Sequence, residues 1–219
     1  SATFLENHDQ PRSIDKYIQA PAYQNEIGAK ALALLYFNLR GCPFIYQGQE
    51  LGLRNAKRTS IADFNDLSSH DNYDRALEEG YSAEAALRFV NARSRDNGRL
   101  PYPWDQSVNH GFNQGTKPWI GLNESCPELD WVSEQADTQS VWHFYQAMIA
   151  LRQQSSLSLD LITGTFKPIT TTADTVIAYQ RGQHVVVYVN LSDQVVNLPL
   201  PKGKKWLNNY TTSTNDQLQ

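Results

Sequence analysis

Three polar residues of different chemistry, Asn7, His8 and Asp9, follow one another soon after the start SATFL, with Glu6 between. A carboxylate accepts hydrogen bonds, an imidazole donates or accepts them, and an amide does both. Burying such groups at the end of a strand costs free energy unless they form hydrogen bonds. A bound polyol would satisfy them. The alternative interpretation is an ion pair between His8 and Asp9 at the end of a loop.

The segments that position these residues have the pattern strand, helix, strand. Residues 3–7 predict a short strand, and residues 24–40 carry apolar side chains at helical spacing. The apolar run Phe44-Ile45-Tyr46 lies between a proline and a glycine, which favours a strand buried on both faces of a parallel sheet. This order predicts a βα repeat rather than a hairpin.

The rest of the chain divides into a loop-rich part and a β-rich part. Residues 53–135 lack a strong strand pattern and contain a helical stretch at 82–95, followed by a long polar and aromatic loop of the kind that is usually functional. Residues 137–154 return to helical spacing. Short β-rich segments follow, LITGTFKPI, TVIAYQRG, HVVVYVNLS, VVNLPLP and KKWLNNY, which predict an antiparallel sheet or small sandwich.

Composition excludes several classes of function. The chain has 219 residues and a formal net charge of −4, which gives no electrostatic footprint for nucleic acid. No apolar window is long enough for a membrane span. The five histidines are scattered singly and Cys42 and Cys126 stand alone, so we expect no metal, no cofactor and free thiols in a reducing, cytoplasmic setting.

Four segments occur in one order along the chain: FLENHDQPR, GCPFIYQGQELG, SRDNGRLPYPWD and KPWIGLN. Together they resemble the α-amylase superfamily of retaining glycoside hydrolases, in the branch of oligo-1,6-glucosidases, dextran glucosidases and trehalose-6-phosphate hydrolases. The resemblance covers nearly the whole chain. Any one of these motifs would be weak evidence, but the ordered set is specific.

The resemblance implies an α/β plus all-β fold. Residues 1–157 are expected to be the last part of a (β/α)8 TIM barrel, with FLEN as strand 7 and FIYQGQE as strand 8. Residues 158–219 are expected to be an antiparallel C-terminal β domain that stops before its last strand. Strands 1–6 would then lie outside this chain, and its open strand edges are expected to drive oligomerisation.

The resemblance also implies roles for individual residues. Asp9 would hold the 2- and 3-hydroxyls of the glucose being cleaved and stabilise the transition state, His8 would donate to the same sugar edge, and Asn7 would support the turn. Arg99 matches the arginine of the glucose subsite, the alternative being a surface guanidinium. Glu50 has two open interpretations, a substrate-binding group at the mouth of the barrel or an anchor for its loop.

The expected function is that of a retaining α-glucosidase acting on terminal bonds of short oligosaccharides. In the family, the nucleophile and the general acid come from strands 4 and 5, so the isolated chain is expected to be inactive. The branch usually has Asp-Val-Glu-Ser where this chain has DLSS, so Ser68 stands in place of a glutamate associated with α-1,6-linked substrates. The α-1,6 preference is therefore open, and an α-1,4 or α-1,2 disaccharide fits as well.

Two alternative functions remain open at this point. A trehalose-6-phosphate hydrolase would need a cationic site for the phosphate, for which Lys57 and Arg58 are the nearby candidates. A non-catalytic ancillary or structural family member is the alternative from another class. Arg12 is expected to pair with a nearby acid, and Trp104 and Trp119 are expected to pack the long loop rather than stack on sugar.

Overall fold

The computed structural model describes residues 1–199 and 201–210. Contacts divide the chain into two compact units. One unit contains Ser1–Leu5, Ile18–Ile45 and the described residues from Thr138 onward, and the other contains Glu6–Tyr17 and Tyr46–Asp137. The domain boundary between residues 157 and 158 does not coincide with this division and stays a prediction.

The described part of the chain contains α-helices, short strands and single 3-10 turns. The helices are α1 (Ser13–Tyr17), α2 (Glu26–Phe37), α3 (Leu67–Glu78), α4 (Ala83–Arg93), α5 (Trp131–Ala136), α6 (Val141–Gln154) and α7 (Ser158–Ile162). The strands are β1 (Ala2–Thr3), β2 (Cys42–Pro43), β3 (Phe166–Ile169), β4 (Val176–Arg181) and β5 (Val185–Asn190). The 3-10 turns lie at Pro21–Tyr23, Gln49–Leu51, Ile61–Asp63, Arg95–Gly98 and Val108–Gly111.

Strands β1 and β2 of the first unit pair in parallel, with Ala2 opposite Cys42. Helix α2 lies between them in sequence, which confirms the predicted strand, helix, strand order. The strands are shorter than predicted and begin earlier. The prediction that Phe44 is buried on both faces is wrong, because its side chain is 57% exposed. Among the described residues this sheet has two strands, so few neighbours cover Phe44.

Helix α2 confirms the helix predicted at 24–40. Asn25 caps its first turn, because its side chain accepts a hydrogen bond from the backbone of Ile27. The last carbonyls of α2 are bound by two buried arginines. Arg152 of α6 donates to the carbonyl of Phe37 at 3.1 Å, and Arg181 of β4 donates to the carbonyl of Asn38. These bonds satisfy carbonyls that a helix end leaves without partners.

The antiparallel sheet has the order β3-β4-β5, with Val176 opposite Asn190 across the β4–β5 pair. Alternate side chains of β5 face inward, and Val187 and Val189 pack with Tyr179 and with Ala31 of α2. The Tyr179 hydroxyl donates to the carbonyl of Leu35 at 2.8 Å. This part of the chain confirms the predicted change to β structure.

Two of the predicted β-rich segments form no extended strand. The described residues of 195–201 and 204–210 lie outside β3, β4 and β5. Pro199 and Pro201 lack the backbone N–H that a sheet ladder needs, which explains the first case. The segment LITGTFKPI also begins differently from the prediction, because its first two residues end helix α7 before β3 starts.

The second unit is built around helices α3 and α4, which pack against each other. Ala76 of α3 and Ala86 and Val90 of α4 are buried. The chain turns between the helices at Gly80, whose φ is +90°. Residues that have a Cβ rarely adopt this backbone conformation. The prediction at 82–95 found α4, but the sequence pattern did not reveal α3. Its aliphatic residues, Leu67, Ala76 and Leu77, form no continuous stripe.

Candidate active site

A buried ion pair organises the turn that carries the first polar motif. Arg12 Nη1 lies 3.0 Å from Glu6 Oε2, and both side chains are almost fully buried. The same guanidinium donates from Nη1 to the carbonyl of Gln47 and from Nε to the carbonyl of Asn97. Glu6 Oε1 in turn accepts from the backbone and hydroxyl of Ser13. The prediction that Arg12 pairs with a nearby acid is confirmed. Arg12 also joins three segments of the chain.

Asp9 stands at the end of this turn with its carboxylate partly exposed. Arg99 Nη2 lies 2.9 Å from Asp9 Oδ1, and His8 Nε2 lies 3.2 Å from Asp9 Oδ2. Arg99 Nε also donates to the carbonyl of His8 at 3.1 Å. The exposed fractions of the side chains are 69% for His8, 47% for Asp9 and 23% for Arg99. Three of the four predicted site residues are therefore together on an open surface.

Asn7 holds the backbone of this turn, as its predicted role requires. Its side-chain oxygen accepts from the backbone N–H of Asp9 at 2.8 Å, and its carbonyl accepts from the backbone N–H of Gln10 at 3.2 Å. A local turn of this kind is typical of asparagine. It fixes the direction of the chain at Asp9.

The segment Arg95–Gly98 presents Arg99, and its side chains are tied down. Asp96 Oδ2 accepts from the backbone N–H of Asn65 at 2.6 Å, and Asn97 Oδ1 accepts from that of Ala56 at 3.1 Å. Gly98 packs closely on the first motif, because a Cβ at this position would lie 2.8 Å from the carbonyl oxygen of Asn7. These contacts order the segment that presents Arg99.

Arg95 is a further neighbour of Asp9, a contact that the sequence motifs do not predict. Its Nη1 lies 3.8 Å from Asp9 Oδ1, and its Nη2 lies 2.5 Å from Asp66 Oδ1 and 3.0 Å from the hydroxyl of Ser68. Burial acts to raise the pKa of Asp66, but the hydrogen bond and charge of Arg95 outweigh it and hold the pKa below its usual range.

Glu50 takes part in a separate contact. The Tyr102 hydroxyl donates to Glu50 Oε1 at 2.8 Å. Glu50 Oε2 is buried and has no hydrogen-bond partner among the described residues. Burial raises the pKa of Glu50, and burial together with the carboxylate raises the pKa of Tyr102. These contacts fit the loop-anchor interpretation of Glu50, and its role in binding substrate stays a prediction.

The tryptophans of the long loop differ from each other. Trp104 contacts Tyr102 and Trp131, with ring centroids 4.6 and 6.0 Å apart, as expected for a side chain that packs the loop. The same expectation is wrong for Trp119, whose side chain is 69% exposed. Its indole N–H donates to the side chain of Asn65 at 3.0 Å, and this bond holds the ring at the surface.

The described residues contain no group of three or more His, Cys, Asp and Glu side chains that could hold a metal ion. Cys42 and Cys126 are both free thiols. No helix in the part of the chain that the structure describes has both the length and the apolar character needed to cross a membrane.

A family model for the catalytic domain of α-amylase matches residues 1–160 of the chain. The chain belongs to the α-amylase family. One relative in this family is the "Probable oligo-1,6-glucosidase 3" of Bacillus subtilis strain 168, which is 40% identical over 83% of the chain and 32% of its own length. The trehalose-6-phosphate hydrolase of Escherichia coli strain K12 is 34% identical over 89% of the chain and 35% of its own length.

Solved structures of the family resemble the fold over most of the chain. The trehalose-6-phosphate hydrolase of Bacillus licheniformis aligns with a TM-score of 0.86 and 29% identity, covering 99% of this chain and 40% of that one. The trehalulose synthase MutB of Pseudomonas mesoacidophila MX-45 aligns with a TM-score of 0.79 and 36% identity, covering 91% and 36%. This chain spans about a third of the length of the curated family relatives named above.

Proposed function

We propose that this chain is part of a retaining α-glucosidase that hydrolyses terminal α-glucosidic bonds of short oligosaccharides. In this proposal β1 and β2 are the seventh and eighth strands of the barrel, and Asp9 is the carboxylate that binds the glucose being cleaved. The observation that carries the proposal is the cluster of Asp9, His8 and Arg99 on an open surface. The similarity to oligo-1,6-glucosidases supports it.

Asp9 keeps capacity for a ligand despite its two protein partners. An ionised carboxylate offers about four lone-pair sites. Arg99 and His8 occupy one site on each oxygen, and Arg95 lies farther away at 3.8 Å. The remaining sites can accept the 2- and 3-hydroxyls of one glucose unit.

Asp9 contributes to catalysis in this proposal without forming a bond to the sugar. Positive charge develops at the anomeric carbon as the glycosidic bond breaks. The hydrogen bond from the 2-hydroxyl to Asp9 becomes stronger in that state than in the ground state, so it lowers the barrier. The displacement itself needs a nucleophile and a general acid, which we assign to family strands outside this chain.

The choice of linkage depends on the surroundings of Ser68. Its hydroxyl accepts from Arg95 at 3.0 Å, so this position offers a neutral group already bound to a cation. A glutamate here would offer a charged acceptor to the second sugar of the substrate. We therefore propose that the enzyme accepts short α-glucosides without a strict preference for the α-1,6 linkage.

Trehalose-6-phosphate hydrolysis is the second candidate function, because several relatives and solved structures have that name. The phosphate site assigned to Lys57 and Arg58 is weakened by existing contacts. Arg58 Nη2 donates to the carbonyl of Gly121 at 2.7 Å, which leaves less of the guanidinium for a ligand. If Lys57 and Arg58 bind phosphate, charge reversal at both positions should weaken calorimetric binding of the phosphorylated disaccharide alone. Equal effects on the binding of the phosphorylated and the plain disaccharide would exclude this role.

The test of the main proposal is calorimetric binding of methyl α-glucoside to the chain. We expect binding that Asp9→Asn weakens about tenfold or more, as for loss of a charge-assisted hydrogen bond. Asp174→Asn, at an exposed carboxylate in the other unit, is the matched control. Equal binding by the wild type and Asp9→Asn would exclude Asp9 as the sugar-binding carboxylate.

Turnover separates binding from the complete reaction. We expect the chain alone to release no p-nitrophenol from p-nitrophenyl α-glucoside. A single carboxylate that binds the substrate cannot perform the displacement, which needs two further carboxyl groups. Turnover that Asp9→Asn abolishes would show that the nucleophile and the acid lie within these 219 residues. It would contradict their assignment to other strands.

A further inference from the structure

Tyr46 contacts two of the motif segments that build the candidate site, although the proposed sugar binding does not use it. Its hydroxyl donates to the carbonyl of Gly98 at 2.8 Å. Its ring lies against Arg12, whose guanidinium carbon is 5.6 Å from the ring centroid. All three residues belong to the second unit. Tyr46, from the segment GCPFIYQGQELG, therefore meets both FLENHDQPR and SRDNGRLPYPWD.

The backbone of Tyr46 is fixed by a buried glutamine. Its N–H donates to Gln49 Oε1 at 3.2 Å, and its carbonyl accepts from the backbone N–H of Gln49 at 2.9 Å. The side chain of Gln49 is almost fully buried. Because the backbone is held and the ring packs on Arg12, the hydroxyl of Tyr46 has little freedom to move away from its acceptor.

The acceptor of this hydrogen bond belongs to the residue directly before Arg99. A Cβ at Gly98 would lie 2.8 Å from the carbonyl oxygen of Asn7, so this peptide fits tightly against the first motif. A displacement of the Gly98 peptide would move Arg99 with it. Arg99 Nη2 donates to Asp9 Oδ1 at 2.9 Å, and such a bond weakens steeply when its geometry changes.

The phenol of Tyr46 stays in the form that can donate. Burial raises the pKa of Tyr46 above its usual value of about 10, and the charges of Arg12 and Arg99 oppose this effect only in part. The hydroxyl is therefore protonated at neutral pH. It provides a permanent donor to the Gly98 carbonyl.

We propose that Tyr46 is a positioning residue for the sugar-binding carboxylate. Its hydroxyl fixes the Gly98 peptide, the peptide fixes Arg99, and Arg99 holds Asp9 in the orientation that accepts the hydroxyls of glucose. Tyr46 itself does not contact the sugar. The effect on sugar binding rests on the function proposed above, whereas the effect of Tyr46 on Arg99 can be measured without a sugar.

The first measurement is the exchange of the Arg99 Nε–H with solvent, followed by NMR. This proton is donated to the carbonyl of His8, and its signal is assigned by its loss in Arg99→Gln. Tyr46→Phe removes the hydroxyl but keeps the ring on Arg12, and we expect it to speed the exchange about fivefold, as for loss of one hydrogen bond. Unchanged exchange would overturn the proposal.

Tyr179→Phe is the matched control for this measurement. Its hydroxyl also donates to a backbone carbonyl at 2.8 Å, but it lies in the other unit. We expect the exchange of the Arg99 Nε–H to be the same in Tyr179→Phe as in the wild type. Equal acceleration by both substitutions would mean a general loosening of the fold and would overturn the positioning role.

The second measurement is a double-mutant cycle on the affinity for methyl α-glucoside, with circular dichroism of each variant. Tyr46→Phe should weaken binding about fivefold in the wild type and have no further effect in Arg99→Gln, because it acts through Arg99. Equal weakening in both backgrounds would overturn the positioning role. A wild type that binds no glucoside would refute the proposed function alone, and the exchange of the Arg99 Nε–H would then decide the role of Tyr46.

Discussion

The Arg12 guanidinium and the Glu6 carboxylate form an ion pair whose side chains are 1% and 2% exposed, with Nη1 3.0 Å from Oε2. The pair holds the turn before Asp9 against the segments that contain Gln47 and Asn97. Removal of one partner leaves the other as a buried charge without compensation, which is more costly than loss of the pair as a whole.

Arg12→Ala should therefore lower the free energy of unfolding by about 3–5 kcal/mol. Urea unfolding followed by circular dichroism measures the change. Arg88→Ala is the control, since its exposed pair with Glu84 should contribute less than about 0.5 kcal/mol. Similar effects of the two substitutions would contradict a special role for the buried pair.

Arg99→Lys should weaken binding of methyl α-glucoside by about tenfold while the fold is retained. Lysine keeps the positive charge, but it cannot contact Asp9 and the carbonyl of His8 at the same time with a rigid fork. Calorimetry measures the affinity, and Arg88→Lys serves as the control. An unchanged affinity would favour the alternative interpretation of Arg99 as a surface guanidinium.

Glu50→Gln should stabilise the protein increasingly as the pH rises from 4 to 8. Burial raises the folded-state pKa of Glu50 above its unfolded value of about 4.3. The protonated side chain therefore contributes stability that is fully present below pH of about 4.3 and is lost as the pH rises through the folded-state pKa. Glutamine stays neutral and does not suffer this loss.

Urea unfolding of the Glu50→Gln variant and the wild type at pH 4, 6 and 8 measures this dependence. Glu124→Gln, at an exposed position in the same unit, should show no such trend. A stability difference between Glu50→Gln and the wild type that is independent of pH would mean that Glu50 is not a buried acid with a raised pKa.

Gly98→Ala should lower the free energy of unfolding by about 1–3 kcal/mol, because the added Cβ would meet the carbonyl of Asn7. It should also weaken methyl α-glucoside binding by displacing the turn that carries Asp9. Gly203→Ala is the control, since a Cβ there has no neighbour within 4 Å. A Gly98→Ala variant as stable as Gly203→Ala would show that the two segments separate without cost.

Part of this fold could be predicted from the sequence and part could not. Helices α2 and α6 have regular apolar spacing, and the predictions at 24–40 and 137–154 are confirmed. Helix α3 was missed because its stability comes from packing against α4 rather than from an apolar stripe. Pro199 and Pro201 explain why the described residues of 195–201 do not form an extended strand.

The candidate site shows the same division. The ordered motifs indicated that Asp9, His8 and Arg99 act together, and their contacts agree with that grouping. The pairing of Glu50 with Tyr102 was not foreseen, because a side-chain contact across 52 positions leaves no local pattern. The second contact of Arg95 depends on the geometry of a 3-10 turn, which sequence spacing does not specify.

The guanidinium of Arg95 faces Asp9 with one nitrogen and binds Asp66 with another. The charge of Asp66 therefore sets how much of the positive charge of Arg95 is available to Asp9. One arginine thus couples the electrostatic potential at Asp9 to a carboxylate at the start of helix α3.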